Sequence, residues 1–162
     1  MARSLPVTDT GTEVDMHAHL IPQARRVERP TYVWPAIALE LVTAVLAIPV
    51  GWAFILDPSG GAMGVPQDWI AGSFGSYLVP GVYLFAMNGI AMLVLAGLSA
   101  YRHWVAPWLT GVLGVGLIIW IAVQLLVMPE TMILQWIFLA VGLVLGFVAL
   151  FWLRHTDQLR LW

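Results

Sequence analysis

The stretch TYVWPAIALELVTAVLAIPVGWAFIL, residues 31–56, decides the fold of this chain. A helix rises about 1.5 Å per residue, so this stretch is long enough to cross the ~30 Å hydrocarbon core of a bilayer. Three more apolar segments of similar length follow it, and backbone polar groups cannot go unpaired in lipid. The sequence therefore predicts an all-α fold, a polytopic membrane four-helix bundle. Its predicted helices cover residues 32–56, 77–100, 105–128 and 131–153.

The composition supports a membrane protein and excludes several other classes. Of the 162 residues 60% are apolar and only 10% are charged, far from the balance of a soluble domain. The chain has seven arginines, no lysine and a net charge of −2, so it has no basic tract suited to nucleic acid. Without a cysteine it can form no disulfide, no thiolate metal site and no cysteine nucleophile.

Polar segments flank the predicted membrane domain, which covers residues 31–155. Residues 1–30 lack the apolar core of a cleavable signal peptide, and we expect them to form a flexible cytoplasmic tail. Residues 156–162 are expected to form a second, short cytoplasmic tail. His17 and His19 lie two residues apart in the first tail without a third ligand, so we expect no metal site there.

The arginines predict the orientation of the chain. With four crossings all seven fall on the same side of the membrane, whereas the charged residues of the two opposite loops, Asp57, Asp68 and Glu130, are all acidic. By the positive-inside rule the arginine side is cytoplasmic. We therefore expect a multi-pass protein of the cytoplasmic (inner) membrane with both termini in the cytoplasm. The arginines are Arg3, Arg25, Arg26, Arg29, Arg102, Arg154 and Arg160.

A glutamate interrupts the first helix. Glu40 has no basic residue at its depth, and an ionised carboxylate in hydrocarbon is costly, so we expect a protonated side chain that donates a hydrogen bond. Thr43 lies on the same helical face, and Asn88 lies about one turn away in depth when residues are counted from the cytoplasmic helix ends. Glu40, Thr43 and Asn88 are expected to form an interior polar cluster. Three roles stay open: a polar staple between helices, a proton-transfer or substrate site, or an interfacial position where Glu40 meets Arg102.

A second polar cluster is predicted near the outer surface. Trp120 and Gln124 lie one turn apart in the third helix, and Gln135 lies at a matching depth in the fourth. Either the two amides pair as an interhelical bridge, or the three residues line a site for a quinone, a lipid headgroup or another small ligand. The glycine-rich loop at residues 57–76 is expected to cover this cluster as a cap.

Glycines mark the expected helix contacts, because small residues let membrane helices approach closely. Gly142 and Gly146 form a GxxxG pair, for which a contact within the chain and dimerisation both stay open. The glycines assigned to helix packing are Gly89, Gly97, Gly111, Gly114, Gly142 and Gly146.

The segment DPSGGAMGVPQDWIAGSFGSYLVPGVYLFAMNGIAMLVLAG, residues 57–97, carries a resemblance to known proteins. Its D-P-S-G loop and the P-G pair at the start of the second helix resemble those of small, uncharacterised four-helix membrane proteins of bacteria and archaea. The W-x-x-x-Q pattern of Trp120 and Gln124 is similar to theirs as well. The chain also distantly resembles DoxX-like four-helix proteins. The resemblance implies the four-helix fold and brings no activity with it.

Motifs that would assign an enzyme class do not occur in the sequence, neither a phosphate-binding loop nor a metalloprotease, hydrolase or haem-attachment pattern. We therefore expect a protein that is not an enzyme and needs no cofactor. Within the lipid bilayer it would act as an accessory, assembly or self-associating subunit, in a larger membrane complex or a homo-oligomer. The alternative is an oligomeric proton-linked transporter, or a quinone- or lipid-binding component, that uses Glu40.

Overall fold

A computed structural model describes residues 27–156 of the chain. Those residues form four long helices and no strand, and each helix is long and apolar enough to cross a membrane. The predicted all-α, four-helix architecture of a multi-pass membrane protein is confirmed. The helices are α1 (Val33–Leu56), α2 (Leu78–Ala100), α3 (Ala106–Val127) and α4 (Ile133–His155).

The helix ends lie within two residues of the predicted ones. The largest difference is in α4, which starts later because Met132 has an extended backbone and serves as the N-cap. It also runs on through Arg154 and His155, whose side chains suit the negative end of the helix dipole. Residues 1–26 and 157–162, which hold the histidine pair and most of both predicted tails, lie outside the described residues.

The four helices are arranged as two helical hairpins. α1 packs extensively along α2, and α3 packs extensively along α4, whereas contacts between the two hairpins are fewer. Successive helices run in opposite directions, so the starts of α1 and α3 share one end of the bundle with the ends of α2 and α4. We call this the terminal end. The opposite end carries the long loop between α1 and α2, residues 57–77, which we call loop 1, and is the loop end.

Glycines set the closest approach within each hairpin. A Cβ atom at Gly51 of α1 would lie 2.5 Å from the backbone nitrogen of Phe85 and 2.8 Å from the carbonyl oxygen of Gly81 in α2. In the other hairpin, a Cβ atom at Gly142 would lie 3.0 Å from the carbonyl oxygen of Gly114. Backbone therefore packs directly against backbone in both hairpins, as small residues allow in membrane helices.

Five of the six glycines predicted to mediate helix packing lie at contacts within the chain. Two of them are Gly114 and Gly142, which meet between α3 and α4. Gly89 lies against Ile48 of α1, and Gly111 lies against Ala149 of α4. Gly146 contacts α3 through its backbone nitrogen, which is 3.1 Å from where a Cβ atom of Gly114 would lie. Its own Cβ position and that of Gly97 have no neighbour within 4 Å among the described residues.

Residues just before α1 close the terminal end of the bundle. The Arg29 guanidinium donates a hydrogen bond of 2.9 Å to the carbonyl oxygen of Ala100 at the end of α2. The indole N–H of Trp152 in α4, a fully buried residue, donates to the carbonyl oxygen of Glu28 at 2.8 Å. These bonds join the segment before α1 to α2 and α4, and so connect the two hairpins at this end.

Loop 1 is packed against the loop end of the bundle. Gly60 has a φ of +84°, and a Cβ atom there would lie 2.6 Å from the carbonyl oxygen of Val65 and 2.9 Å from the Tyr77 ring, so the turn requires glycine. The buried Tyr77 ring stacks on Phe54 of α1, with 4.8 Å between ring centroids. Its hydroxyl donates to the carbonyl oxygen of Pro66 at 2.9 Å, which fixes the middle of the loop.

Asp57 organises the first turn of loop 1. Its Oδ1 accepts hydrogen bonds from the hydroxyl and the backbone N–H of Ser59, at 2.6 and 3.1 Å. Its Oδ2 accepts from the backbone N–H of Ala62 at 2.7 Å. Donors of this kind favour an ionised carboxylate, and the Ser59 hydroxyl is the main cause that lowers the pKa of Asp57 below its ordinary value.

We expect Asp57→Asn to loosen loop 1, because the amide replaces one acceptor oxygen with a donor. Amide hydrogen exchange at Ser59 and Ala62 should accelerate several-fold. In the wild-type protein, these amides should exchange as fast only in strong acid, where the Asp57 carboxylate becomes protonated. Because the folded pKa of Asp57 is lowered, its stabilisation is complete above the unfolded pKa and is lost as the pH falls through the folded pKa. Asp68→Asn is the control, since Asp68 makes no side-chain hydrogen bond among the described residues; equal exchange rates in both variants would contradict this role.

Candidate ligand-binding site

A cavity of about 300 Å³ lies between the two hairpins, in the half of the bundle nearest the loop end. All four helices and loop 1 line it. From α1 it takes Thr43, Ala47 and Val50, whose spacing of three and four residues places them on one helical face. Met63 and Val65 of loop 1 cover it from the loop end. The cavity arises because the hairpins pack less closely against each other than their own helices do.

Two side-chain amides face this cavity without a protein partner. Asn88 of α2 is only 4% exposed, and among the described residues neither Asn88 nor Gln124 of α3 makes a side-chain hydrogen bond. Asn88 lies in the stretch Leu84–Ala91, where α2 is π-helical. Such wide turns are rare and frequently occur at functional sites. The amides are therefore free to hydrogen-bond to a ligand.

Gln135 also lines the cavity, but its amide is used locally. Its Oε1 accepts a hydrogen bond of 3.0 Å from the backbone N–H of Met132, and its Nε2 donates to the sulfur of Met128 at 3.4 Å. Gln135 thereby caps the start of α4. The interhelical bridge considered between Gln124 and Gln135 is not formed, because the unpaired backbone N–H at the helix start takes the Gln135 oxygen.

Trp120 forms one wall of the cavity at its centre. Its ring stacks on Tyr83, with 4.3 Å between centroids, and the Tyr83 hydroxyl donates to the carbonyl oxygen of Gly116 at 3.2 Å. The indole N–H of Trp120 is buried and has no acceptor within the described protein, and the Thr43 hydroxyl is buried and unpartnered in the same way. Unsatisfied buried donors are uncommon, and both atoms are covered by protein, so neither is presented to the cavity space.

The cavity opens sideways, toward the surface that faces lipid. Leu46 of α1 and Leu134 of α4 both line it, yet they stay 46% and 50% exposed. Since α1 and α4 belong to different hairpins, the opening lies between the hairpins.

Glu40 lies outside this cavity, toward the terminal end. It is completely buried, and its Oε1 is 3.2 Å from the hydroxyl oxygen of Thr110 in α3. That hydroxyl is also 3.0 Å from the carbonyl oxygen of Ala106, the usual acceptor for a threonine in a helix. A hydroxyl has one hydrogen to donate. Thr110 is the donor in both contacts, so this hydrogen is shared between Glu40 Oε1 and the Ala106 carbonyl oxygen.

The second carboxyl oxygen of Glu40 favours the protonated form predicted from the sequence. Oε2 has no hydrogen-bond partner within the described protein, and a buried carboxylate with a bare oxygen would be costly. The Ser99 hydroxyl faces the carboxyl group, but its geometry does not meet that of a hydrogen bond. Glu40, Thr110 and Ser99 thus form a polar contact among α1, α3 and α2.

The predicted interior cluster is therefore divided between two places. Thr43 and Asn88 line the cavity, whereas Glu40 meets Thr110 and Ser99 nearer the terminal end. The reason is geometric: side chains in a helix lean toward its N-terminus, which for α1 is the terminal end. Depth counted from Cα positions alone predicted Asn88 as the neighbour of Glu40 and did not identify Thr110 or Ser99. The outer group is brought together, since Trp120, Gln124 and Gln135 all line the cavity.

The cavity lining carries no ionisable side chain among the described residues, and no group of three His, Asp or Glu converges there as metal ligands do. Its chemistry is that of neutral hydrogen bonds and apolar contact. Comparison of the sequence with protein-family models and with curated proteins, and of the fold with solved structures, finds no match.

Proposed function

We propose that this protein binds a lipophilic small molecule that enters its cavity from the membrane. The observation that carries the proposal is the cavity itself: about 300 Å³, mostly apolar, open between α1 and α4, with unpartnered amides inside. Its volume lies at the lower end of small-molecule sites, which are typically apolar clefts with a few placed polar groups. Of the roles considered from the sequence, the lipid- or quinone-binding component agrees best with this geometry.

Binding or carriage is proposed rather than catalysis. The described lining offers hydrogen bonds but no acid, base or charged group that could take part in a reaction. Glu40 is separated from the cavity and paired with Thr110, so a polar staple describes it better than a proton carrier. The resemblance to small four-helix membrane proteins stays a hypothesis beside this one.

The proposed orientation places the terminal end in the cytoplasm. It is supported by Arg29, Arg102 and Arg154, the described arginines, which all lie at that end. The cavity would then open toward the outer leaflet of the cytoplasmic membrane. The chain has no cysteine, so a single cysteine at Ala62 can be labelled from outside intact cells with an impermeant maleimide. Labelling that requires cell lysis would reverse the orientation.

The binding proposal is tested with a variant that fills the cavity. Ala47→Phe places a ring where a small buried side chain now lines the space. Val45→Phe is the matched control, because Val45 lies two residues away in α1 and is 65% exposed. Native mass spectrometry of protein extracted in mild detergent should show a bound lipophile in the wild type and the control, and at least about tenfold less in Ala47→Phe.

Two results would overturn the proposal. One is a folded Ala47→Phe variant that retains the lipophile at the wild-type level. The other is a wild-type protein that carries no lipophile but a second protein at fixed stoichiometry, which would favour an accessory subunit. Gly97 and Gly146, whose Cβ positions have no neighbour in the described part of the chain, would then be the first places to look for a partner helix.

A further inference from the structure

We propose that the ligand is a neutral lipid with two carbonyl oxygens, which the amides of Asn88 and Gln124 bind while the apolar part extends between α1 and α4. This rests on the proposed function and adds the chemical class of the ligand. Quinones and neutral glycerides both have this chemistry.

The absence of charge in the described lining selects a neutral headgroup. A buried phosphate or ammonium requires an opposite charge or several strong donors. Around this cavity the described polar groups are amides, a threonine hydroxyl and an indole. A phospholipid could therefore place an acyl chain in the cavity but not its headgroup.

The hydrogen-bond donors in the cavity lining favour a ligand with carbonyl groups. Two side-chain amides, those of Asn88 and Gln124, line the cavity with NH2 groups that have no acceptor among the described residues. Proteins tolerate an under-used carbonyl oxygen more readily than an orphaned N–H group. A ligand with acceptor oxygens would pair these N–H groups, whereas a pure hydrocarbon would leave them unpaired.

The spacing of the amides favours two acceptors on one molecule. Asn88 is ten residues from the start of α2, and Gln124 is three residues from the end of α3, both counted from the loop end. Their Cα atoms thus differ in depth by roughly 10 Å. Side chains lean toward the helix N-terminus, so Asn88 leans toward the loop end and Gln124 away from it. The two amides are therefore closer to each other in depth than their Cα atoms are, as binding to two carbonyls of one molecule requires.

The opening determines where the rest of the ligand goes. The half-exposed Leu46 and Leu134 lie on the lipid-facing side of the cavity. A cavity of about 300 Å³ holds a headgroup and the first part of a chain. The remainder of a longer chain would lie between α1 and α4 in the surrounding lipid.

Three probes test the class of ligand on the purified full-length chain. Decylbenzoquinone and dioctanoylglycerol each carry two carbonyls, and decylbenzene carries none. Native mass spectrometry titrations in detergent should show at least one carbonyl probe bound about tenfold more tightly than decylbenzene. Which of the two binds more tightly identifies the quinone or the glyceride as the source of the chemistry.

Variants assign this preference to the amides. Asn88→Leu, nearly equal in size, should reduce the preference for the carbonyl probe to less than about twofold, and Gln124→Leu should reduce it partly. Thr110→Val is the control, because it removes a buried hydroxyl that faces Glu40 instead of the cavity. Gln124 is less buried than Asn88 and provides the test should Asn88→Leu not fold.

The two proposals fail in different ways. Equal binding of all three probes, or an unchanged preference in folded Asn88→Leu and Gln124→Leu, overturns the carbonyl inference. Undiminished binding of all three probes to Ala47→Phe overturns the site itself. Loss of every probe in Ala47→Phe with an unchanged preference in the leucine variants leaves the site in place and removes only the ligand class.

Discussion

Gly51→Ala is expected to lower the free energy of unfolding by about 3 kcal/mol, although it adds a single methyl group. That methyl would lie 2.5 Å from the backbone nitrogen of Phe85 and 2.8 Å from the carbonyl oxygen of Gly81. Both are backbone atoms, so no side chain can rotate away and α1 must separate from α2. The separation would also displace the α2 segment that carries Asn88, and ligand binding should weaken with stability.

Gly97→Ala is the matched control for this substitution. Gly97 also lies in a membrane helix, but a Cβ atom there would meet nothing within 4 Å in residues 27–156. Alanine is the better helix former, so this variant should be as stable as the wild type or slightly more stable. Unfolding in sodium dodecyl sulfate, followed by circular dichroism, measures both variants. Equal midpoints for Gly51→Ala and Gly97→Ala would show that the α1–α2 contact is not as close as described.

Most of the fold could be predicted from the sequence, because a bilayer leaves few alternatives. An apolar run such as 31–56 must be helical, since lipid cannot satisfy unpaired backbone groups. The turns at YRHW and MPET are too short for anything but antiparallel neighbours. The ends of the helices were harder to predict. The helix α4 starts at Ile133 because Met132 takes an extended conformation, and hydropathy carries no information on backbone conformation.

The site was predicted only in part, for reasons that are local in each case. Trp120 and Gln124 were found because an aromatic and an amide one turn apart share a face. Thr110 was missed as the partner of Glu40 because counting along the helix ignores the lean of side chains. Gly51 was missed as a contact because it stands alone in α1, without the repeated spacing that marked the glycines of α3 and α4.

The cavity itself could not have been predicted from any single segment. It depends on how closely one hairpin packs against the other. Most of its lining residues are apolar and look like ordinary membrane-facing or core residues in the sequence. Leu46 and Leu134, for example, carry no sign that they border an opening. The π-helical turn around Asn88 is likewise a property of the folded helix, with no sequence signature in this chain.

Glu40→Arg is expected to destabilise the protein by about 3 kcal/mol or to prevent its insertion. The carboxyl group is completely buried between α1, α2 and α3, and we expect it to be protonated because its Oε2 has no donor among the described residues. A guanidinium cannot become neutral in the same way. Every other described acidic residue lies outside the four helices, so the new charge would have no partner at its depth.

Glu40→Gln separates the effect of charge from that of size. The amide has nearly the same shape, and its oxygen can accept from Thr110 as the Glu40 oxygen does, so the free energy of unfolding of Glu40→Gln should stay within about 1 kcal/mol of the wild type. Infrared difference spectra between wild type and Glu40→Gln at neutral pH should contain the carbonyl stretch of a protonated carboxylic acid. Carboxylate bands in that spectrum, or a loss of stability in Glu40→Gln as large as in Glu40→Arg, would mean that the ionised form is the one built into the bundle.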